Sequence, residues 1–233
     1  MFIDFHSHFL PGIDDGARTT SIGCEMAHES FKQGTEYLVA TPHFYFNDSI
    51  SIDEAIINRD NALDKIICYS QDNNIQIPKI IKGFEVAYDK SLLLMDSLDK
   101  FCIDNTNHIL LELPYNNWNS TLTEEIYELS ISGYNVILAH IERYLSVEGG
   151  RVLDLVDLDV KFQISCSVPI KGEDKKFLSY LIKNGRYCVM GTDMHNMDTR
   201  PCDISDSFKR FEKKYKKEVE NLFYNNSHKI LFS

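Results

Sequence analysis

Short apolar strands and amphipathic helices alternate about seven times along this 233-residue chain, and that rhythm restricts the fold more than any other feature. Phe2 to Phe5, Tyr37 to Ala40, Lys79 to Glu85, Ile109 to Leu111, Asn135 to Ala139, Lys161 to Ser165 and Tyr187 to Met190 carry the apolar, aromatic and β-branched residues of strands. Between them lie stretches of helical period. The first is Ser21 to Gly34, with Thr20 or Ser21 as N-cap and Gly34 as its stop. Asp53 to Asn73, Thr121 to Ser132 (stopped by Gly133), Arg151 to Leu158 and Asp174 to Asn184 (closed by Gly185) follow. From Ser205 onward the chain reads as helices, and Lys213, Lys214, Lys216 and Lys217 form a solvated face. Strand, helix, strand repeated in this way predicts parallel strands joined by crossover helices. No Pro/Gly/Ser linker or shift in composition divides the chain, so residues 1–233 are expected to form a single domain of barrel length.

The net charge of −11 argues against a nucleic-acid backbone as partner, because such binding needs a basic footprint. No apolar run approaches the length of a membrane span, and a strand starting at residue 2 leaves no place for a signal segment. Cys24, Cys68, Cys102, Cys166, Cys188 and Cys202 are scattered without a C-x-x-C pair. Reduced thiols and a cytoplasmic location are the expectation.

The polar residues that follow the strands carry the functional signal. His6, His8, His43, Glu85, Glu112, His140, Asp193 and His195 each stand at or just beyond the C-terminal end of an expected strand. In a parallel barrel all those ends share one face, where active sites are built. His6 and His8, two apart on a strand, point to the same side. Pro11, Gly12 and Gly16 turn the chain back so that Asp14 or Asp15 can reach the same point; spacing does not choose between them. With one of that pair the donors number nine, more than the three to five protein ligands a single catalytic ion takes. They suit two or three ions, with Glu85 and Asp193 able to bridge. No thiolate is among them, so manganese, iron and zinc are all admissible. His28 in mid-helix, His108 opening a strand and His228 near the tail read as structural or exposed.

Arg143 and Arg200 lie on loops that carry these donors, and a planar guanidinium matches phosphate; the plainer reading is a loop salt bridge. Tyr115 and Trp118, beyond Glu112, are either an aromatic rim or loop anchors. Glu142 is the one spare carboxylate beside a donor. The cysteine-phosphatase C-x5-R loop, the G-x-S-x-G elbow, H-E-x-x-H and the Walker-A loop do not occur.

Ile3 to His8, Asp14-Asp15-Gly16, Ala40 to His43, Leu111 to Pro114, Ala139 to Arg143 and Thr192 to Asn196 together resemble the PHP (polymerase and histidinol phosphatase) superfamily. Within it they are most similar to the CpsB/CapC-type bacterial protein-tyrosine phosphatases, over nearly the whole chain. The resemblance implies a distorted (β/α)7 TIM-like barrel with a three-metal site, usually assigned manganese, and it favours Asp15 over Asp14. By motif, one ion takes His6, His8, Glu85 and Asp193; a second takes Glu85, Glu112 and His140; a third takes Asp15, His43 and His195. Arg143 and Arg200 match the phosphate-binding arginines. The implied activity is hydrolysis of phosphotyrosine by a hydroxide bridging two ions. The implied partner is a tyrosine kinase with a phosphorylated tail that regulates capsule or exopolysaccharide synthesis. A small-molecule phosphatase, such as one for histidinol phosphate, would use the same site. A rival of another class is a non-catalytic binding module whose ions serve folding.

Overall fold

A computed structural model describes residues 1–233. In chain order its elements are β1 (Phe2–Asp4), α1 (Thr20–Lys32), β2 (Thr35–Ala40), β3 (His43–Phe44), α2 (Ile52–Asp72), β4 (Lys79–Lys82), β5 (Glu85–Ala87) and β6 (His108–Glu112). Then come α3 (Leu122–Ser130), β7 (Asn135–Leu138), α4 (Leu145–Glu148), α5 (Arg151–Val156), β8 (Lys161–Ser165), α6 (Gly172–Lys183), β9 (Cys188–Gly191), α7 (Ile204–Tyr215) and α8 (Asn226–Phe232). Short 3-10 turns at Lys90–Leu94, Asp99–Phe101 and Ile141–Tyr144 are additions to the expected pattern.

Every strand pair is parallel: β1-β2-β4 in one ladder and β3-β5-β6-β7-β8-β9 in the other. The stretch Lys79 to Glu85, expected as one strand, is interrupted after Lys82, and its neighbour breaks after Ala40 at Thr41-Pro42. Proline offers no ladder donor, yet the pairing crosses both breaks. Gly83 N–H donates to Ala40 O at 2.9 Å and Glu85 N–H to Pro42 O at 3.0 Å. The nine segments are therefore seven strand lines, with β2/β3 and β4/β5 each one kinked line.

The ring closes between its last and first lines. Phe5 N–H donates to Met190 O (3.1 Å), Asp193 N–H to His6 O (2.8 Å) and His8 N–H to Met194 O (3.0 Å), with a parallel bridge between Ser7 and Met194. This is the distorted (β/α)7 barrel that the alternation and the resemblance led us to expect.

Strand parity sorts the core. Leu110, Ile137 and Val189 join Ile3, Phe5 and Val39 in a cluster of ten buried residues that also takes in Ile230 and Leu231 of α8. Their neighbours Ile109, Leu111, Val136, Leu138, Cys188 and Met190 belong instead to the larger cluster packed against the helices. The small cluster is the barrel's inner filling and α8 plugs it. Local signals fix the helix starts. Thr19, one residue before the expected cap, is the extended residue whose hydroxyl accepts from Ile22 N–H at 3.3 Å. Ser51 and Glu54 form a reciprocal capping box on α2.

Candidate metal centre

The ring gathers the expected donors at one mouth. His6 Nε2 lies 2.9 Å from His8 Nε2, 3.0 Å from Glu85 Oε2 and 3.5 Å from Asp193 Oδ1. His8 Nε2 is 3.2 Å from the same Glu85 oxygen and 3.3 Å from the same Asp193 oxygen. All four side chains are buried. Glu85 also meets His43 Nδ1 at 3.0 Å and, through Oε1, His140 Nε2 at 2.8 Å. Glu112 stands 3.8 Å from His43 Nδ1 and 3.5 Å from His140 Nε2. On the open side, Asp15 Oδ1 is 3.5 Å from His43 Nε2 and 3.2 Å from His195 Nε2. Nine sequence-derived donors thus come together.

Two of them are held by unusual backbone. His140 (φ 31°) and Asp193 (φ 55°) adopt left-handed conformations two residues past the ends of β7 and β9. Such conformations cost on the order of 1–3 kcal/mol each and persist where the surroundings enforce them. The packing is equally exacting at Gly191, where an added Cβ would fall 2.5 Å from the His6 Cβ, and at Gly16, where it would fall 2.0 Å from His8 O. Glycine there lets β9 and the returning loop press against the two histidines.

Hydrogen bonds decide which nitrogens are free. The His140 N–H donates to Gln163 Oε1 at 2.7 Å, so the amide oxygen, not the nitrogen, faces that corner. The same Oε1 is 2.9 Å from His6 Nδ1, which must therefore carry a proton. His8 Nδ1 is likewise the donor to the Asp14 carboxylate at 2.7 Å. Both Nε2 lone pairs then converge with the oxygens of Glu85 and Asp193. Nitrogen facing nitrogen among carboxylates is repulsive without a cation between them. Ligands bound tetrahedrally at zinc-like distances stand roughly 3.3–3.6 Å from one another, close to the spacing seen here. Glu85 Oε2, His43 Nδ1 and His195 Nε2 are buried without a hydrogen-bond partner. The residues fit divalent metal.

The electrostatics agree. Burial works against charge on His8, but Asp14, Asp193 and Glu85 outweigh it and hold the imidazole well above its ordinary value. Burial likewise opposes ionisation of Glu85, and His6, His140 and His43 hold it well below the usual carboxylate range. Asp193 is held low by His6, His8 and Arg143 despite its burial. The cluster demands positive charge.

Asp193 also faces the arginines. Its Oδ2 accepts from Arg143 Nη2 and from Arg200 Nη2, the latter at 2.6 Å. Arg143 reaches it on the 3-10 turn that begins after His140. Arg200 is set by Asn196, whose Oδ1 accepts from the N–H groups of Asp198, Thr199 and Arg200 at 2.9, 2.7 and 3.1 Å.

The geometry also separates residues that spacing left equivalent. Asp14 binds His8 and accepts from the N–H of Gly16 and His43, whereas Asp15 faces His43 and His195. Trp118 is a loop anchor: it is buried, donates Nε1–H to Pro114 O at 2.7 Å and packs on Tyr144. Tyr115 is exposed. The Glu142 carboxylate is buried and accepts from Ser165 N–H at 3.3 Å. His28 is bound to Gln76 O, away from the cluster.

The family model for capsular polysaccharide synthesis, CpsB/CapC, matches residues 2–232. The chain belongs to the CpsB/CapC family. The tyrosine-protein phosphatase CpsB of Streptococcus agalactiae serotype III (strain NEM316) is 27% identical over 241 residues, covering 98% of both sequences. A solved structure described as YwqE from Bacillus subtilis and CpsB from Streptococcus pneumoniae, metal-dependent tyrosine phosphatases, superimposes with a TM-score of 0.78 at 25% identity. It covers 98% of this chain and 94% of that one. The phosphotriesterase homology protein of Escherichia coli, complexed with phosphate in its active site, covers 98% of both chains at a TM-score of 0.56 and 10% identity, a likeness of fold alone.

Three residues of this CpsB/CapC chain that sequence reasoning passed over matter at the site. Gln163 was hidden in an ordinary strand; its only signal is a polar residue between Phe162 and Ile164, at the parity facing into the barrel. Asp4 accepts from the N–H of His6 and from both the N–H and hydroxyl of Thr192, so it ties the first histidine to the end of β9. Tyr45 stacks on His43 with ring centroids 5.2 Å apart.

Proposed function

We propose that this chain is a metal-dependent protein-tyrosine phosphatase, one domain spanning residues 1–233. The observation that carries the reading is the double use of Asp193: one oxygen sits in the histidine–carboxylate cluster and the other holds two guanidiniums. A cation site and a phosphate clamp therefore share one wall. We assign one ion to His6, His8, Glu85 and Asp193, a second to Glu85, Glu112 and His140, and a third to Asp15, His43 and His195. Manganese is the proposed metal, and the all-nitrogen-and-oxygen donor set supports it alongside iron and zinc. Divalent ions held there supply a nucleophile at neutral pH, by acidifying bound water, and neutralise phosphate charge.

The chain's own residues do the rest. Arg143 and Arg200 leave the Asp193 carboxylate for the non-bridging oxygens of the phosphoryl group and stabilise the charge there. Gln163 and Asp14 keep Nδ1–H on His6 and His8, so their Nε2 lone pairs stay available. Glu142 is engaged by the Ser165 amide, and the histidines of the mouth are committed to the cluster. A phenolate, whose conjugate acid has a pKa of about 10, leaves with little protonic help. That supports phosphotyrosine over phosphoserine and phosphothreonine. The excess negative charge of −11 supports a neutral or basic, flexible tail. We propose a tyrosine kinase of capsule or exopolysaccharide synthesis as its bearer, and a reducing cytoplasm, in keeping with six free thiols.

The test is a matched panel of phosphotyrosine, phosphoserine and phosphothreonine peptides, with histidinol phosphate beside them, before and after exhaustive chelation. The expected result is metal-dependent hydrolysis, restored by manganese, with kcat/KM highest on phosphotyrosine. Full activity after chelation would sink the metal reading. A far higher rate on histidinol phosphate would replace the substrate class and leave the site standing. A metal-loaded chain with no turnover on any substrate would make it a binding module.

A further inference from the structure

The mouth of the barrel has an aromatic wall on one side, at and just beyond the short strand β3. Phe44 and Phe46 turn into the core, where both meet Phe101 edge-on or tilted, at centroid distances of 5.3 and 5.6 Å. His43, on β3, and Tyr45, just past it, lie together on the other side, ring against ring. There the Tyr45 ring lies over the His43 imidazole, 5.2 Å between centroids and 28° between planes. His43 itself touches Asp15 and Glu85. One face of the phenol is thus supported by a residue of the cluster, while the residue as a whole stays 37% exposed. A large ring left half exposed against a buried polar centre is poorly used unless another flat group covers it.

From this stacked, half-open placement we infer that Tyr45 is a specificity-determining residue, a platform for the aromatic ring of the phosphoryl ester. The inference rests on the phosphatase reading above and adds to it the means by which an aryl ester is preferred. Offset stacking of two rings is favourable by its own geometry as well as by the area it removes from water. The contact is made by the organic part of the substrate, so it must act on ester binding and leave the phosphate site alone. The exposed Tyr115, on the loop after Glu112, has no such support from the cluster and serves as the control.

The experiment compares Tyr45→Ala, Tyr45→Phe and Tyr115→Ala with the parent protein, all loaded with manganese. For each, KM and kcat are measured on an aryl phosphate and a phosphotyrosine peptide, together with the inhibition constant of inorganic phosphate. Tyr45→Ala is expected to raise both KM values about tenfold and to leave the inorganic-phosphate constant unchanged. Tyr45→Phe keeps the ring and is expected to match the parent, as is Tyr115→Ala. If Tyr45→Ala folds poorly, Tyr45→Leu removes the π-face while filling the space and is expected to show the same split. An unchanged KM in both the alanine and leucine variants overturns the inference. So does a phosphate inhibition constant that rises in step with KM, because Tyr45 would then act only by propping His43. A parent protein that is inactive on every aryl ester overturns the phosphatase reading instead, and this inference with it.

Discussion

Replacing Gln163 by methionine, nearly isosteric but with only a weak thioether acceptor, tests how the site chooses its free nitrogens. In the parent chain, Gln163 Oε1 takes a hydrogen bond from the His140 N–H at 2.7 Å and one from His6 Nδ1 at 2.9 Å. The methionine leaves a buried backbone donor unpaired, which costs about 1–3 kcal/mol of stability. It also frees His6 to hold its proton on Nε2, the nitrogen aimed at Glu85 and Asp193. Loss of such an outer partner lowers metal affinity about 10–100-fold, or roughly 1.4–2.7 kcal/mol.

Chelator competition gives the affinity directly, and thermal unfolding of metal-free protein gives the stability term separately. Gln163→Glu is the companion variant, because a carboxylate accepts from both donors. It should recover most of the metal affinity, whereas a purely space-filling role would favour methionine over glutamate. Parent-like metal affinity in Gln163→Met would refute the reasoning. So would a loss of equal size in both variants.

Three further outcomes follow from the same geometry. Arg143→Ala is expected to lower kcat/KM about 100-fold or more with metal content and unfolding nearly unchanged; because Asn196 fixes the second loop, Arg200→Ala should lose a comparable amount. An unfolded Arg143→Ala protein would make that arginine structural. Gly191→Ala places a Cβ 2.5 Å from that of His6, so metal binding should fall with the fold's stability, by about 1–3 kcal/mol for an overpacked core; normal metal affinity would show that the His6 backbone is free to move. Burial, then repulsion by Lys161, lowers the His108 pKa from 6.5 to about 4. The unfolded chain therefore binds a proton that the native state refuses, and stability falls as pH drops from about 6.5 towards 4, by at most about 3 kcal/mol before solvent screening. His108→Gln should unfold at the same temperature as the parent above pH 7 and at a higher one near pH 5; equal acid sensitivity would place the effect elsewhere.

How much of this was legible depends on the range of each signal. The strand lines, the barrel and the gathering of candidate donors were readable because strand parity and strand ends are local properties: His6 and His8 follow β1 two residues apart, Asp193 and His195 both follow β9, and His43, Glu85, Glu112 and His140 stand on or just past other strand lines. The break at Gly83-Phe84 was not, nor was the resumption of the second line as β3 beyond Thr41-Pro42, because the ladder crosses both gaps through Gly83 and Glu85 bonding to the neighbouring line, which hydrophobic pattern does not show. Asp14 and Asp15 are adjacent and chemically alike. Only the amides of Gly16 and His43, which close around Asp14, turn one inward to His8 and leave the other for His43 and His195.

Gln163 illustrates a different limit. Its function requires a donor 23 residues earlier in the chain and another 157 residues away, neither of which has any sequence relation to it. What the sequence does contain is a conflict: an uncharged polar side chain, fully buried, at an inward parity otherwise filled by Leu110, Ile137 and Val189 on neighbouring strands. A buried amide without partners is costly. Its presence in that layer calls for partners, and His6 Nδ1 and the His140 N–H at the barrel mouth supply them.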